Sequence, residues 1–424
     1  VVQWNMILGI FLVIFCLRII LRFTLTQLNI RQVCKKGHIV PAVFRGIIDD
    51  ETLGHMSDYT VDSSRFTSVT TIFGDVLFLI ILLSGILPWY TRHIADIHWH
   101  FIPSGLLFMA GPAVIGFILD IPFDIYGTFV IEKRYGFSTI TAKLWITDLL
   151  KNLILSIVLT GLLLSAFLAL VYYAERTWWF WGWLLFALFQ LVMLWIYPIL
   201  IAPLFNTYEP VKNEELREKI VDLMAEAGLR AKGVFQVDSG KRSRHTNAYF
   251  TGFGKTKRVV LFDTLIASHS IDEILSVFAH EIGHWKKKHI IKQLIAIETV
   301  SFFLFYIAYR LIDWAPLYHT FGFDRITPYV GIFLISAYLK PVSFFFRPLL
   351  SSLSRKYERE ADDYSLSLIG TTAHLADALK RLAKDNLANL YPHPLYAWFY
   401  YSHPPLTERV SYLERRNGKG NVDL

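Results

Sequence analysis

Charge and cysteine are what this 424-residue sequence has least of. Acidic and basic residues make up only 18% of it, against 54% hydrophobic and 16% aromatic. Soluble domains carry about a quarter of their residues as charges, so a wholly water-soluble chain is excluded. The only two cysteines are Cys16 and Cys34, and Cys16 sits in an apolar run. Neither a disulfide framework nor a thiolate metal site can be built from them. No basic cluster alternates with exposed aromatics, so the net charge of +7 fits membrane loops and not nucleic acid. Internal repeats and low-complexity segments are also lacking.

Apolar runs long enough to cross a bilayer are what the sequence has in plenty. Seven spans are predicted, at Trp4–Leu21, Phe73–Trp89, Ile102–Ile121, Leu153–Tyr173, Trp178–Ile201, Ile290–Trp314 and Pro328–Phe346. The first lacks a small-residue cleavage site after it and reads as a span, not a removable signal. Aromatic clusters such as Trp178–Trp181 mark several ends, where amphipathic rings settle at headgroups. Arg22, Arg31, Lys35, Lys36, Arg45 and Arg65 follow the first span, and Lys133, Arg134, Lys143 and Lys151 the third. The odd-numbered connections are therefore cytosolic, with the N-terminus outside or lumenal. Segments after spans five and seven then share one side.

Between spans five and six the texture is that of a small soluble domain. Glu214–Ala227 reads as an amphipathic helix stopped by Gly228, and strands are expected at Val234–Val237, Asn247–Phe250 and Arg258–Phe262. After span seven come helices at Leu350–Leu368, Thr372–Leu390 and Pro404–Arg416, then a frayed end at Gly418–Leu424. The division is 1–201 for spans one to five, 202–289 for the α+β segment, 290–346 for spans six and seven, and 347–424 for the C-terminal helices.

The chemistry centres on Ser270–Lys288, where His280, Glu281 and His284 form H-E-x-x-H. On a helix, i and i+4 share a face, so both imidazoles can converge on one metal while Glu281 reaches a water beside it. Ser270 and Glu273 form a capping box for that helix. Catalytic zinc takes three protein ligands, and Tyr357–Asp363 offers the third. Glu358 and Asp362 stand at i and i+4, so one can ligate while the other receives a ring N–H from a ligand histidine. Glu360 points away from that pair. His403 lies in Tyr401–Pro405, where prolines hold a loop rigidly, and could donate to an oxyanion. Asn247–Phe250 could be an edge strand that pairs with an extended peptide. Within the spans, Asp75, Lys292 and Lys340 lie near ends and can sit at the interface. Glu298, deeper, either lines a hydrated cavity continuing from the metal helix or pairs with Lys340 or Arg310.

Eight segments together give a resemblance that spans most of the chain. They are Phe129–Ser138, Leu144–Asn152, Ile201–Pro210, Asp238–Phe253, Lys257–Leu265, Ala279–His289, Tyr357–Asp362 and Tyr401–Val410. In this order they resemble the type I CAAX prenyl proteases, integral-membrane zinc metalloendopeptidases. The resemblance implies a mostly α membrane protein: a barrel of seven transmembrane helices around a large chamber, with a small α+β gluzincin-like zinc protease domain on the cytosolic side. It implies His280, His284 and Glu358 as ligands of one Zn2+ per chain, Glu281 as general base, and Asp362 behind a ligand histidine. It further implies Asn247, Ala248 and Tyr249 in the substrate-pairing strand, and His403 assisting at the transition state. The expected activity is removal of the C-terminal tripeptide from prenylated C-a-a-X proteins. A general protease for membrane-tethered clients is the alternative, and a transporter with a structural metal a more distant one. The expected setting is the lipid bilayer of the endoplasmic reticulum, or the inner membrane in a prokaryote, with the chain acting as a monomer and binding no nucleic acid.

Overall fold

Long apolar helices set the architecture, because backbone in hydrocarbon must satisfy its own hydrogen bonds. The computed structural model describes residues 2–251 and 256–420. Five spans come first: α1 (Met6–Lys36), α2 (Asp50–Leu83), α3 (Phe101–Arg134), α4 (Ala142–Tyr173) and α5 (Trp178–Phe205). Several run well beyond their apolar cores. Helix α2 begins at Asp50, capped by Asp49 accepting from the Thr52 amide, because local hydrogen bonds carry a helix past the point where its side chains turn polar. The predicted span Phe73–Trp89 is corrected at its other end. The chain breaks at Gly85, whose φ of 82° suits glycine, and Trp89 belongs to a separate helix, Ile86–Asp96.

The segment after α5 forms a four-stranded sheet of order β1-β2-β4-β3. Its elements are β1 (Tyr208–Pro210), helix α6 (Glu214–Glu226), β2 (Arg230–Val237), β3 (Ala248–Thr251) and β4 (Thr256–Phe262). Strands β2 and β4 run parallel, and β3 lies antiparallel to β4 at the sheet edge, with Ala248 opposite Leu261. Helix α7 (Ile271–Lys286) follows, its Ser270–Glu273 capping box formed in both directions. Leu216, Ile220 and Met224 of α6, Val259 and Leu261 of β4, and Phe278 and Ile282 of α7 share one core.

Helix α8 (His289–Leu311) is the sixth span, and α9 (Pro328–Phe344) with α10 (Arg347–Ile369) forms a pair bent by 54°. Counting that pair as one gives seven among the described residues. At most 22% of the apolar window of the six unbent spans is buried inside the protein. A solid bundle would bury an inner stripe on every helix, so these spans form a wall one helix thick, the barrel anticipated from the sequence. Helices α11 (Ala373–Asp385) and α12 (Leu406–Gly420) complete the chain. The frayed end expected from Gly418 is partly corrected, since α12 runs to Gly420; residues 421–424 lie outside those described.

Two readings of in-span charge change. Asp75 is buried against Arg18 at 2.5 Å, because a carboxylate inside the wall is tolerable only with a partner. Helix α7 does not continue into α8: Lys288 takes φ of 57° and starts a new helix. Glu298 therefore does not extend the metal-helix face, and its carboxylate accepts from Gln190 Nε2 at 2.6 Å instead of pairing with Lys340 or Arg310.

Helices α7 and α10 approach closely. A Cβ placed on Gly283 would meet the Ala361 Cα at 2.9 Å and its carbonyl oxygen at 3.0 Å. Gly283→Ala would gain about 1 kcal/mol of helix propensity but force two backbones apart, at a cost of about 1–3 kcal/mol. Thermal denaturation of the variant should show net destabilisation.

Candidate active site

Helix α7 presents His280 and His284 toward α10, and α10 presents Glu358 and Asp362 in return. The tight contact at Gly283 lets the side chains meet. His280 Nε2 and His284 Nε2 are 3.1 Å apart. Glu358 places Oε2 3.3 Å from the first and Oε1 3.2 Å from the second. Tetrahedral ligands at about 2.05 Å from an ion stand roughly 3.3 Å from one another. Two imidazoles and a carboxylate at this spacing therefore fit a zinc-like cation.

Asp362 sits behind His280, its Oδ1 2.8 Å from Nδ1. With Nδ1–H donating there, the Nε2 lone pair faces inward. Burial and the charge of Arg409 push His280 down, but hydrogen bonds to Asp362 and Glu358 outweigh them and raise it to about 9. A proton and a metal thus compete for this imidazole.

Sequence reasoning passed over two supports. Arg409, itself 6% exposed, donates to Asp362 from Nε at 2.9 Å and Nη2 at 2.7 Å, and its Nη1 lies 3.2 Å from Glu358. It ties together the two carboxylates that flank His280. The second support stands behind His284, whose Nδ1 is 3.0 Å from His289 Nδ1, while His289 Nε2 meets Glu360 Oε2 at 3.0 Å. His289 also stacks on Tyr357, with centroids 4.2 Å apart. Glu360 meets His289 and not the Glu358–Asp362 face, yet it reaches the site at one remove. On an unbroken helix His289 would face away from His284; the left-handed Lys288 brings it back.

The site opens into a cleft of about 510 Å³, lined among others by Asn247, Ala248, Glu281, Tyr400 and His403. The structure thus brings Glu281 and the start of β3 to the same opening. His403 is exposed to the cleft, its Nε2 3.3 Å from Glu358 Oε1 and its Nδ1 3.0 Å from Ser402 Oγ. One edge of β3 has no strand partner among the described residues. Tyr249 is not among the cleft-lining residues. Strand alternation turns it to the opposite face, where its hydroxyl meets that of Tyr208 at 3.1 Å.

A multi-pass membrane protein with a His-His-Glu cluster beside an H-E-x-x-H glutamate belongs to the class of membrane metallopeptidases. The model for the CAAX prenyl protease N-terminal region, five membrane helices, matches residues 29–207, and that for peptidase family M48 matches residues 210–417. A CAAX prenyl protease 1 homolog of Oryza sativa subsp. japonica is 36% identical over 96% of this chain and 97% of its own. CAAX prenyl protease 1 of Saccharomyces cerevisiae is 33% identical over 88% of each. The crystal structure of S. mikatae Ste24p superimposes with a TM-score of 0.89 at 30% identity, covering 95% of this chain and 97% of that one. The chain belongs to the CAAX prenyl protease 1 family of M48 metalloendopeptidases.

His289→Ala should lower metal affinity about 10–100-fold, the usual loss when a ligand histidine loses its outer partner, measured by chelator competition. Arg409→Met would leave two carboxylates buried without their cation and cost about 3–5 kcal/mol, read from thermal unfolding.

Proposed function

We propose that this protein is a zinc endopeptidase that removes the C-terminal tripeptide from prenylated C-a-a-X proteins. It would hold one Zn2+ through His280, His284 and Glu358, and act as a monomer in the membrane of the endoplasmic reticulum with the site near its cytosolic side. The carrying observation is the 3.1–3.3 Å spacing of the three ligating groups at a cleft bounded by the edge of a sheet. The relatives named CAAX prenyl protease supply the substrate class, and the thin helical wall supplies room for a lipid-modified chain.

Zinc, when bound, supplies a Lewis acid for the scissile carbonyl and lowers the pKa of the attacking water. Glu281, lining the same cleft, takes the proton from that water and returns it to the leaving amine. His403, which lines the same cleft, would donate to the oxyanion as it forms. The substrate backbone, extended from its lipid anchor, adds to the free edge of β3 beside Asn247 and Ala248, which fixes the scissile bond against Glu281. Tyr249, turned away from the cleft, would contribute through its backbone.

The test offers purified protein in nanodiscs a farnesylated C-a-a-X peptide and an unprenylated membrane-tethered peptide, with and without chelator, and maps the products. Release of the intact tripeptide from the farnesylated peptide alone, lost on chelation and restored by zinc, is the expected result. Equal cleavage of the unprenylated peptide would reassign the enzyme to general membrane-protein processing. Glu281→Ala should reduce turnover by at least about 10²–10⁴-fold while retaining stoichiometric zinc.

A further inference from the structure

One cluster of charge plays no part in this chemistry. Where α1 and α10 approach the short helix Pro394–Tyr400, the guanidiniums of Arg18, Arg22 and Arg347 lie on the side of Tyr400. Arg347 lies 4.7 Å over the ring of Tyr400. The Tyr400 hydroxyl stands in the field of Arg22, Arg347 and Arg18, and that of Tyr396 in the field of Arg347 and Arg22.

The cluster is not neutralised. Arg18 pairs with Asp75. Arg22 finds the Thr71 hydroxyl at 2.6 Å, and Arg347 the tyrosine ring. Among the described residues neither of these two has a carboxylate at ion-pair distance. Two polar atoms here are also buried without a hydrogen-bond partner, Arg18 Nε and Tyr400 Oη, and the Arg18 side chain is only 6% exposed. Surplus cations beside unpaired donors are what an oxyanion completes. Tyr400 ties this cluster to the catalytic cleft, for it lines that cleft together with Glu281 and His403.

We propose that Arg22, Arg347 and the Tyr400 hydroxyl bind the free α-carboxylate at the substrate's C-terminus. The inference rests on the reading of the protein as a C-a-a-X tripeptide-releasing enzyme. In that reaction the terminal carboxylate lies three residues beyond the scissile carbonyl, a reach of about 10 Å in extended chain. Holding the carboxylate at a set distance selects the bond three residues from the chain end and disfavours internal bonds. A lipid headgroup phosphate shares the same oxyanion chemistry, so the test separates the two sources.

Farnesylated C-a-a-X peptides ending in the free acid or in the carboxamide are compared by kcat/KM. The wild type, Arg22→Gln and Arg347→Gln are assayed in neutral-lipid nanodiscs with and without phosphatidic acid, and zinc content reports folding. The wild type should prefer the acid about tenfold, mainly through KM, and each variant should bring the ratio toward one with zinc retained. Equal use of acid and amide by the wild type overturns the carboxylate site alone, as does a ratio that survives in both variants. Variants that change the response to phosphatidic acid but not the ratio would assign the cluster to a lipid phosphate and overturn the proposal. Cleavage of neither peptide by the wild type would overturn the functional reading, and this inference with it.

Discussion

Everything at the metal cluster depends on how closely two helices can approach at Gly283. A side chain there would push α10 away from α7 by the reach of a methyl group. Glu358 would then move off both imidazoles, which it now meets at 3.2–3.3 Å. The glycine inside H-E-x-x-H is thus a packing requirement between elements nearly eighty residues apart in sequence. Ser365 Oγ adds a bond to the Ser276 carbonyl at 3.1 Å along the same interface, and Arg381 of α11 holds Glu273 at 2.7 Å. Helix α7 is clamped from more than one direction before any metal arrives.

The electrostatics follow from that clamp. Two carboxylates are buried beside an imidazole pair, and one buried guanidinium spans them. Burial would favour the neutral form of Arg409, but Asp362 more than offsets it and its pKa is raised. Ionic groups so far from water are tolerable only when each finds a partner. Here the partners are arranged so that one opening, bounded by His280, His284 and Glu358, is left for a cation. Behind each histidine stands a separate support, Asp362 for His280 and His289 with Glu360 for His284. The imidazoles are oriented in advance, which is how a metal site avoids reorganising on binding.

Much of this was legible in the residues themselves. The H-E-x-x-H spacing and the Ser270 capping box predict α7, and the i, i+4 pair Glu358 and Asp362 predicts one carboxylate at the metal and one behind a histidine. The spans were legible as apolar runs, though not their true ends, since hydropathy registers side chains while hydrogen bonds prolong the helix, as at Asp50 in α2. Arg409 escaped notice because an arginine in an amphipathic C-terminal helix resembles any solvated charge until its burial is known. His289 escaped because helical periodicity places it on the wrong face, and only the left-handed turn at Lys288 corrects that. The membrane pair Arg18–Asp75 joins two helices whose registry no local pattern records.

By itself, then, the amino-acid order determined what depends on neighbours within a few turns: membrane character, helix caps, two histidines on one helix face and the acidic i, i+4 pair. Tertiary structure decided what depends on distance between remote segments. That includes which carboxylate faces the cluster, which charges lose water, where Tyr249 turns, and how Arg347 comes to lie over Tyr400 beside the cleft. The physical reason is range. Periodicity and capping act through the backbone over one or two turns, whereas desolvation and side-chain geometry are set only when helices from opposite ends of the chain are packed together.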